Sequence, residues 1–431
     1  YRTHGIGKCH FAPDAQAMRG FQTRERQEEI PSAPDDDDYL AFIQSEGFKH
    51  VVDPHGVRSS MYYVPQVSQL PARLHPTQWV GDRACAFIKD QQRAAEKQPW
   101  YLYAGFVHPH PPFAPPAPWH YLYGIDQVPL PDIPPNSDAM LTFVNRAQNR
   151  YKYRDQGTDM NLLRMMRAYY YACISFIDSQ VGRMLEALPS PENTLIVFSS
   201  DHGEYLGDFG CYGKRGMHDV SARVPMLAAH PESFAAGVQC ARPVSLVDLA
   251  PTFARAAAIA NEARGQYDGV ALQDIAQGTS DRTTVYAQHS YTTAPSGTLD
   301  AGTHGTGAQA AGSSPEETRA AASTYMAVTE AYKYVYAATD DLEILFDRQL
   351  DPRETRNRAG APSYTQALSQ MRDDLIDHLI RGGETAGIEG TATPGTRRWK
   401  RFPRMQVPRD PDQGLLTQHQ PWADLSIPGY T

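Results

Sequence analysis

Three apolar runs, each ending in a polar cluster, organise the first half of the chain. They are Thr3 to Gly7 before Lys8 and His10, Trp100 to Val107 before His108 and His110, and Leu195 to Ser200 before Asp201 and His202. Short continuous apolar runs bounded by polar residues are the pattern of buried strands. In an open α/β sheet, ligands bind beyond the carboxyl ends of the strands. The three clusters are therefore expected to meet at one sheet edge although they lie far apart in sequence.

Between the runs the spacing changes to that of helices. From Leu162 to Leu188, Met165, Tyr169, Ala172, Phe176, Val181, Met184 and Leu188 recur at near-helical intervals and Pro189 ends the pattern, which predicts a long core helix. Tyr39 to Gly47, after the acidic run Asp35 to Asp38, and Trp79 to Gln92 predict two more. The acidic run reads as a solvated helix start, since it lacks the glycine and spaced ligands of a calcium loop. Prolines leave little but loop between Pro111 and Pro135.

Farther on, Val244 to Ala260 predicts a helix with Leu246, Leu249, Phe253 and Ala257 on one face, leading to a turn at Asp268-Gly269. A Gly/Ala/Ser/Thr-rich stretch from Ser290 to Ala322 predicts a surface insertion. Strand-like runs Tyr325 to Ala338 and Leu342 to Phe346 and a helix from Tyr364 to Ile380 then predict a small antiparallel subdomain. Asp340-Asp341, between those runs, is best explained as a hairpin turn. The expected division is a catalytic α/β domain over 1–279, a subdomain over 280–382 with its insertion near 290–322, and a surface-wrapping tail over 383–431.

Composition narrows the function. With 431 residues, 41% of them hydrophobic, the chain is long enough for a large core, and its formal charge of −9 argues against nucleic acid or an acidic membrane surface as partner. No run reaches the roughly 18 apolar residues of a membrane span. The five cysteines, Cys9, Cys85, Cys173, Cys211 and Cys240, are odd in number and contain no CxxC pair, which argues against a disulfide framework or a zinc ribbon.

The chemistry concentrates at the strand ends. Asp201 and His202 side by side can offer an oxygen and a nitrogen to a divalent cation, and Gly203 lets the backbone turn without a side-chain clash. Lys214, a short loop later, has an ammonium able to reach a bound anion. The stretch from Ile196 to Asp208 through Asp201-His202-Gly203-Glu204, with Gly213-Lys214 and Ser221-Ala222-Arg223-Val224-Pro225, resembles the downstream signature of sulfatases. Gly7-Lys8-Cys9-His10 resembles the family's Gly-Lys-x-His segment, and Pro109-His110-Pro111-Pro112-Phe113 its Pro-His-x-Pro-Phe segment.

The resemblance implies the α/β/α sandwich of the alkaline phosphatase superfamily, with a mostly parallel sheet and a smaller C-terminal subdomain of antiparallel sheet plus helix. It implies a sulfate-ester hydrolase in which Asp201 and His202 bind one divalent cation, calcium by family and manganese or zinc by the imidazole's preference. Lys8 and Lys214 would contact sulfate, His10 would assist near the nucleophile, and His110 would protonate the departing alcohol. His108 is expected to orient or pack, Cys9 to be an ordinary thiol and Asp178 to be structural, while His218 has no assigned role. The substrate implied is a small-molecule or carbohydrate sulfate ester, and the location periplasmic or secreted; neither the oligomeric state nor the alcohol follows.

The family's Cys-x-Pro-x-Arg or Ser-x-Pro-x-Arg segment, whose first residue becomes the formylglycine nucleophile, does not occur here, nor do its paired aspartates; Ser32-Ala33-Pro34-Asp35-Asp36 lacks the arginine. The expectation is a chain truncated at its start and nearly inactive alone. Two alternatives stand beside it: a phosphonate monoester or phosphodiester hydrolase of the same superfamily, and a catalytically dead sulfatase-like binding protein.

Overall fold

A computed structural model describes residues 1–30, 34–58, 62–95, 98–151, 159–259, 267–291, 314–390 and 397–406. The chain divides into two compact units, residues 1–130 with 158–194, and residues 131–157 with 195–431. The expected boundary near residue 280 falls inside the second unit. No helix among the described residues is long and apolar enough to cross a membrane.

The first unit is built on a parallel sheet ordered β2–β1–β3, with β1 Arg2–Gly7, β2 Thr23–Arg26 and β3 Trp100–Gly105. β1 and β3 run in register from Arg2↔Trp100 to Gly7↔Gly105, so both end at the same level. β2, with the sequence TRER, has no apolar alternation to announce it. Its polar side chains find partners instead: Thr23 Oγ1 and Glu25 Oε1 lie 2.7 and 3.2 Å from the ring nitrogens of buried His4 on β1.

Three helices complete this unit: Asp38–Ser45, Pro76–Arg93 and Met160–Ala187. The last two pack closely because Gly81 has no side chain; a Cβ there would stand 2.5 Å from Gln180 Oε1. The long helix buries Leu163, Met166, Ala172, Cys173, Phe176 and Ile177, whereas Met165 is exposed, so the stripe starts one position away from the predicted one. The acidic run is not fully solvated as expected. Asp37 is buried, caps the helix through Leu40 N at 2.7 Å and accepts from Glu28 N at 2.6 Å; burial pushes its carboxyl up to about 6.

Among the described residues the second unit has two antiparallel sheets besides the short pair Ile388–Glu389 and Arg398–Trp399. β4 Ile196–Ser199 pairs with β5 Met226–Ala229, and β6 Val285–Ser290, β7 Ser323–Val328, β8 Tyr332–Ala337 and β9 Leu342–Asp347 form a four-stranded meander. The helix Thr365–Arg381 contributes Met371, Leu375, Ile376 and Leu379 to a core shared with β7, β8 and β9. The chain thus has the expected α/β class, with a parallel sheet and an antiparallel-sheet-plus-helix portion.

Among the described residues β4 pairs with β5, while β1 and β3 share the parallel sheet of the first unit. Two expectations are corrected. The helix expected over Val244 to Ala260 is shorter: a 3-10 turn, Leu246–Asp248, opened by a capping box of Ser245 and Asp248, runs straight into the α-helix Leu249–Ala256. The tail does not merely wrap the surface: Trp399, Phe402 and Met405 are buried, and the Trp399 ring stacks on Tyr336 at 4.2 Å. The run Tyr325 to Ala338 is a hairpin broken at Thr329–Ala331, and Asp340-Asp341 is the turn between β8 and β9, as expected. Residues 292–313 of the predicted insertion and 407–431 of the tail lie outside the described residues.

Candidate active-site segments

In the first unit the candidate residues are placed by two glycines. Gly7 has φ +85°, a conformation that favours glycine, and a Cβ on it would lie 2.0 Å from the Gly105 carbonyl oxygen. β1 and β3 therefore end back to back, and Lys8 N donates to Gly105 O at 3.1 Å while Tyr103 OH donates to Lys8 O at 3.0 Å. The Lys8 ammonium donates to Glu29 Oε2 at 2.9 Å. Arg58 donates to Glu29 Oε1, and His110 Nδ1 lies 3.2 Å from that same oxygen. All four side chains are at most 20% exposed.

The structure thus joins Lys8 and His110 through Glu29, with Arg58 as a further cation. His10 is elsewhere: its ring is 79% exposed and Nδ1 is 4.0 Å from Glu28 Oε2. The backbone N–H groups of Cys9 and His10 both donate to Glu28 Oε1 at 3.2 Å. Glu28, Glu29 and Arg58 escape a motif search because no recognisable pattern surrounds them and each lies on an irregular segment.

Behind them lies a histidine core. The His108 ring sits 4.8 Å from that of His75 and 6.2 Å from that of His55, all three buried. His75 caps the helix Pro76–Arg93, accepting from Thr77 N through Nδ1 at 3.2 Å, and its Nε2 lies 3.1 Å from Ala114 O. Burial depresses these imidazoles, His55 to about 3, His108 to about 4 and His75 well below its ordinary value. They are neutral packing groups at physiological pH.

In the second unit, Asp201 and His202 follow β4. His202 Nδ1 lies 2.8 Å from Gly203 O, which fixes the hydrogen on that nitrogen, and Nε2 lies 3.3 Å from Asp201 Oδ2. An imidazole whose Nδ1–H is engaged by a carbonyl presents Nε2 as a donor atom, the usual arrangement of a histidine ligand. The oxygen and nitrogen stand at the separation of neighbours in one coordination shell. These two residues fit part of a divalent-cation site, though among the described residues no group of three or more His, Cys, Asp or Glu is placed to hold a metal.

Lys214 belongs to the same knot of chain. Gly203 N donates to Ser221 O at 2.7 Å, Glu204 N to Val220 O at 3.0 Å, and Ser221 Oγ to Lys214 O. Glu204 Oε1 accepts from Gly213 N at 2.6 Å, and Asn145 and Gln148, on the helix Phe143–Tyr151, both donate to Arg215 O. His218 takes a structural place: it is buried, Tyr205 OH lies 2.8 Å from its Nδ1, and burial lowers it to about 3. Of the other residues named from sequence, Cys9 is only half-buried and Cys173 is fully enclosed.

Gly203 matters for a reason sharper than a turn. A Cβ on it would stand 2.2 Å from the Val220 carbonyl oxygen, a backbone atom that cannot swing aside. Gly203→Ala is expected to cost roughly 1–3 kcal/mol, read as a fall in thermal midpoint; an unchanged midpoint would show that the 203–220 approach is not held.

Comparison with known proteins agrees with the motifs. Residues 1–259 match the Sulfatase family model. The chain is 25% identical to an arylsulfatase of Clostridium perfringens over 94% of this chain and 79% of the relative. It is 30% identical to a choline-sulfatase of Rhizobium meliloti over 70% of this chain and 54% of the relative, so it spans about half the length of that protein. In fold it resembles a phosphonate monoester hydrolase of Silicibacter pomeroyi, with a TM-score of 0.65 at 21% identity over 93% of this chain and 82% of that one. The match over more than half of its length means that the chain belongs to the sulfatase family.

Proposed function

We propose that this chain supplies the cation-binding pair, the anion-neutralising lysines and the proton donor of a sulfate-monoester hydrolase whose nucleophile lies outside residues 1–431. The observation that carries the reading is the Asp201–His202 pair, with Nδ1 of His202 committed to the Gly203 carbonyl and Nε2 beside Asp201 Oδ2. A divalent cation bound there would polarise a sulfate oxygen, and a formylglycine from elsewhere in the protein would supply the nucleophile. Lys8 and Lys214 balance oxygen charge that grows in the transition state. His110 gives a proton to the departing alkoxide, which is the role an imidazole near neutrality fills well. His10, exposed and with Nδ1 4.0 Å from Glu28 Oε2, would assist near the nucleophile.

The metal half of the reading is testable on the chain itself. Calorimetric titration with Mn²⁺, Ca²⁺ and Zn²⁺ is expected to show one site, weakened more than about tenfold by Asp201→Asn or His202→Ala. Equal affinity in wild type and both variants would sink the assignment. The substrate half needs the full-length protein with its nucleophile: aryl sulfate and aryl phosphonate esters assayed in parallel should favour the sulfate. A strong preference for the phosphonate would move the protein to the phosphonate hydrolase reading, and substantial sulfate turnover by residues 1–431 alone would place the nucleophile within them.

A further inference from the structure

We infer that Glu29 is a positioning residue for His110, holding the ring by Nδ1 so that Nε2 is the nitrogen that delivers a proton, with Arg58 as the cation that holds Glu29 in place. This rests on the proposal that His110 is the proton donor. Two acceptors face Nδ1, the Pro111 carbonyl at 2.9 Å and Glu29 Oε1 at 3.2 Å, so the hydrogen stays on Nδ1 whether the ring is neutral or charged. Only Nε2 then gains and loses a proton.

The charges around the ring make the consequence directional. Lys8 reaches Glu29 through Oε2, and Arg58, which also lies over the Tyr62 ring at 4.9 Å, reaches it through Oε1. Tyr62 in turn presents its edge to His110 with centroids 6.1 Å apart. The carboxylate favours the imidazolium, whereas the two cations oppose it. Removing the carboxylate therefore leaves His110 beside two cations without their counter-ion. Removing Arg58 does the reverse. A carboxylate that served only to fill space would produce neither effect.

The test is an NMR titration of the ¹⁵N-histidine-labelled chain, without substrate, with His110 assigned by the signal lost in His110→Asn. Wild type should show the hydrogen on Nδ1. Glu29→Gln, close in shape, should lower the His110 midpoint by about one pH unit, and Arg58→Met should raise it. Glu29→Asp should move it back towards wild type. Hydrogen on Nε2 in the wild type, or midpoints that ignore both variants, would overturn the inference; if Glu29→Gln does not fold, the wild-type tautomer and the Arg58→Met shift decide. Turnover does not enter this readout, so loss of the proton-donor reading would appear separately, as insensitivity of His110→Ala in the full-length enzyme to leaving-group acidity.

Discussion

Replacing Lys333 by methionine is expected to destabilise the second unit by about 3–5 kcal/mol at neutral pH, the range for breaking a buried ion pair from one side. Lys333 stands on β8, is 1% exposed, donates to Asp219 and, at 3.0 Å, to Met217 O, and forms an ion pair with Glu354. Glu354 is buried as well, and its other oxygen accepts from Asp219 N at 2.7 Å. Burial raises the Glu354 carboxyl despite the ammonium; at Asp219 burial also pulls upward, but Lys333 and the nearby arginines prevail and the carboxyl is lowered. Without the ammonium, buried Glu354 loses the ion-pair partner it has among the described residues and stands beside Asp219, which keeps only the Arg223 ion pair, at 3.9 Å. One of them must take up a proton on folding, so the penalty relative to wild type should grow as pH rises from 5 to 8. Urea titrations of both proteins at the two pH values check this. A loss below about 1 kcal/mol, or one that shrinks with rising pH, would show that Lys333 is not what neutralises the pair.

That cluster bears on the site because Met217 and Asp219 follow Lys214 by only a few residues. The loop that carries the candidate lysine is pinned at Ser221 to its own carbonyl and at Asp219 to the meander. Nothing in the local sequence marks Lys333 as its anchor, since a lysine in the run YKYVYA reads as an outward-facing strand residue. Its partner Glu354 lies some twenty residues on, in a segment without regular structure. Long-range ion pairs of this kind are invisible to periodicity, which reports only which face of one element is apolar.

What periodicity does capture is consistent across the chain. β1, β3, β4 and the long helix are legible because each carries an apolar run or stripe of its own, which β1 and the helix bury and which β3 and β4 leave half-buried. β2 and β5 are not: the first is entirely polar and earns its place through His4, and the second, MLAA, is a short run that leaves Leu227 and Ala229 exposed. The site was legible where a motif keeps its residues adjacent, as at Asp201-His202-Gly203, and illegible where the fold assembles it from separate segments, as with Glu29 and Arg58 around Lys8 and His110. The three polar clusters were legible as strand ends, and they follow β1, β3 and β4.

Lowering the pH from 7 to 5 is expected to remove several kcal/mol from the first unit, and the cause lies in the histidines behind the candidate residues. His55, His75 and His108 are buried and depressed below the ordinary imidazole value, so they fold neutral but bind protons when unfolded. A group of this kind contributes fully above its unfolded pKa, near 6.5, and loses that contribution as pH falls towards its folded value of about 3 for His55 and about 4 for His108. At pH 5, His55 and His108 each cost about 2 kcal/mol, roughly 4 kcal/mol together, and His75 acts in the same direction. Asp37 works in the other direction: its carboxyl is raised to about 6, so protonation on acidification returns about 1 kcal/mol. The net expectation is a loss of at least roughly 3 kcal/mol, measured by urea titration with the fluorescence of Trp79, Trp100 and Trp119 as reporter. His108→Gln should flatten the profile by about one proton's worth of slope, because the glutamine cannot charge. A stability that stays level between pH 7 and 5 would mean that the three imidazoles are not enclosed together, and the packing that supports His110 would have to be drawn differently.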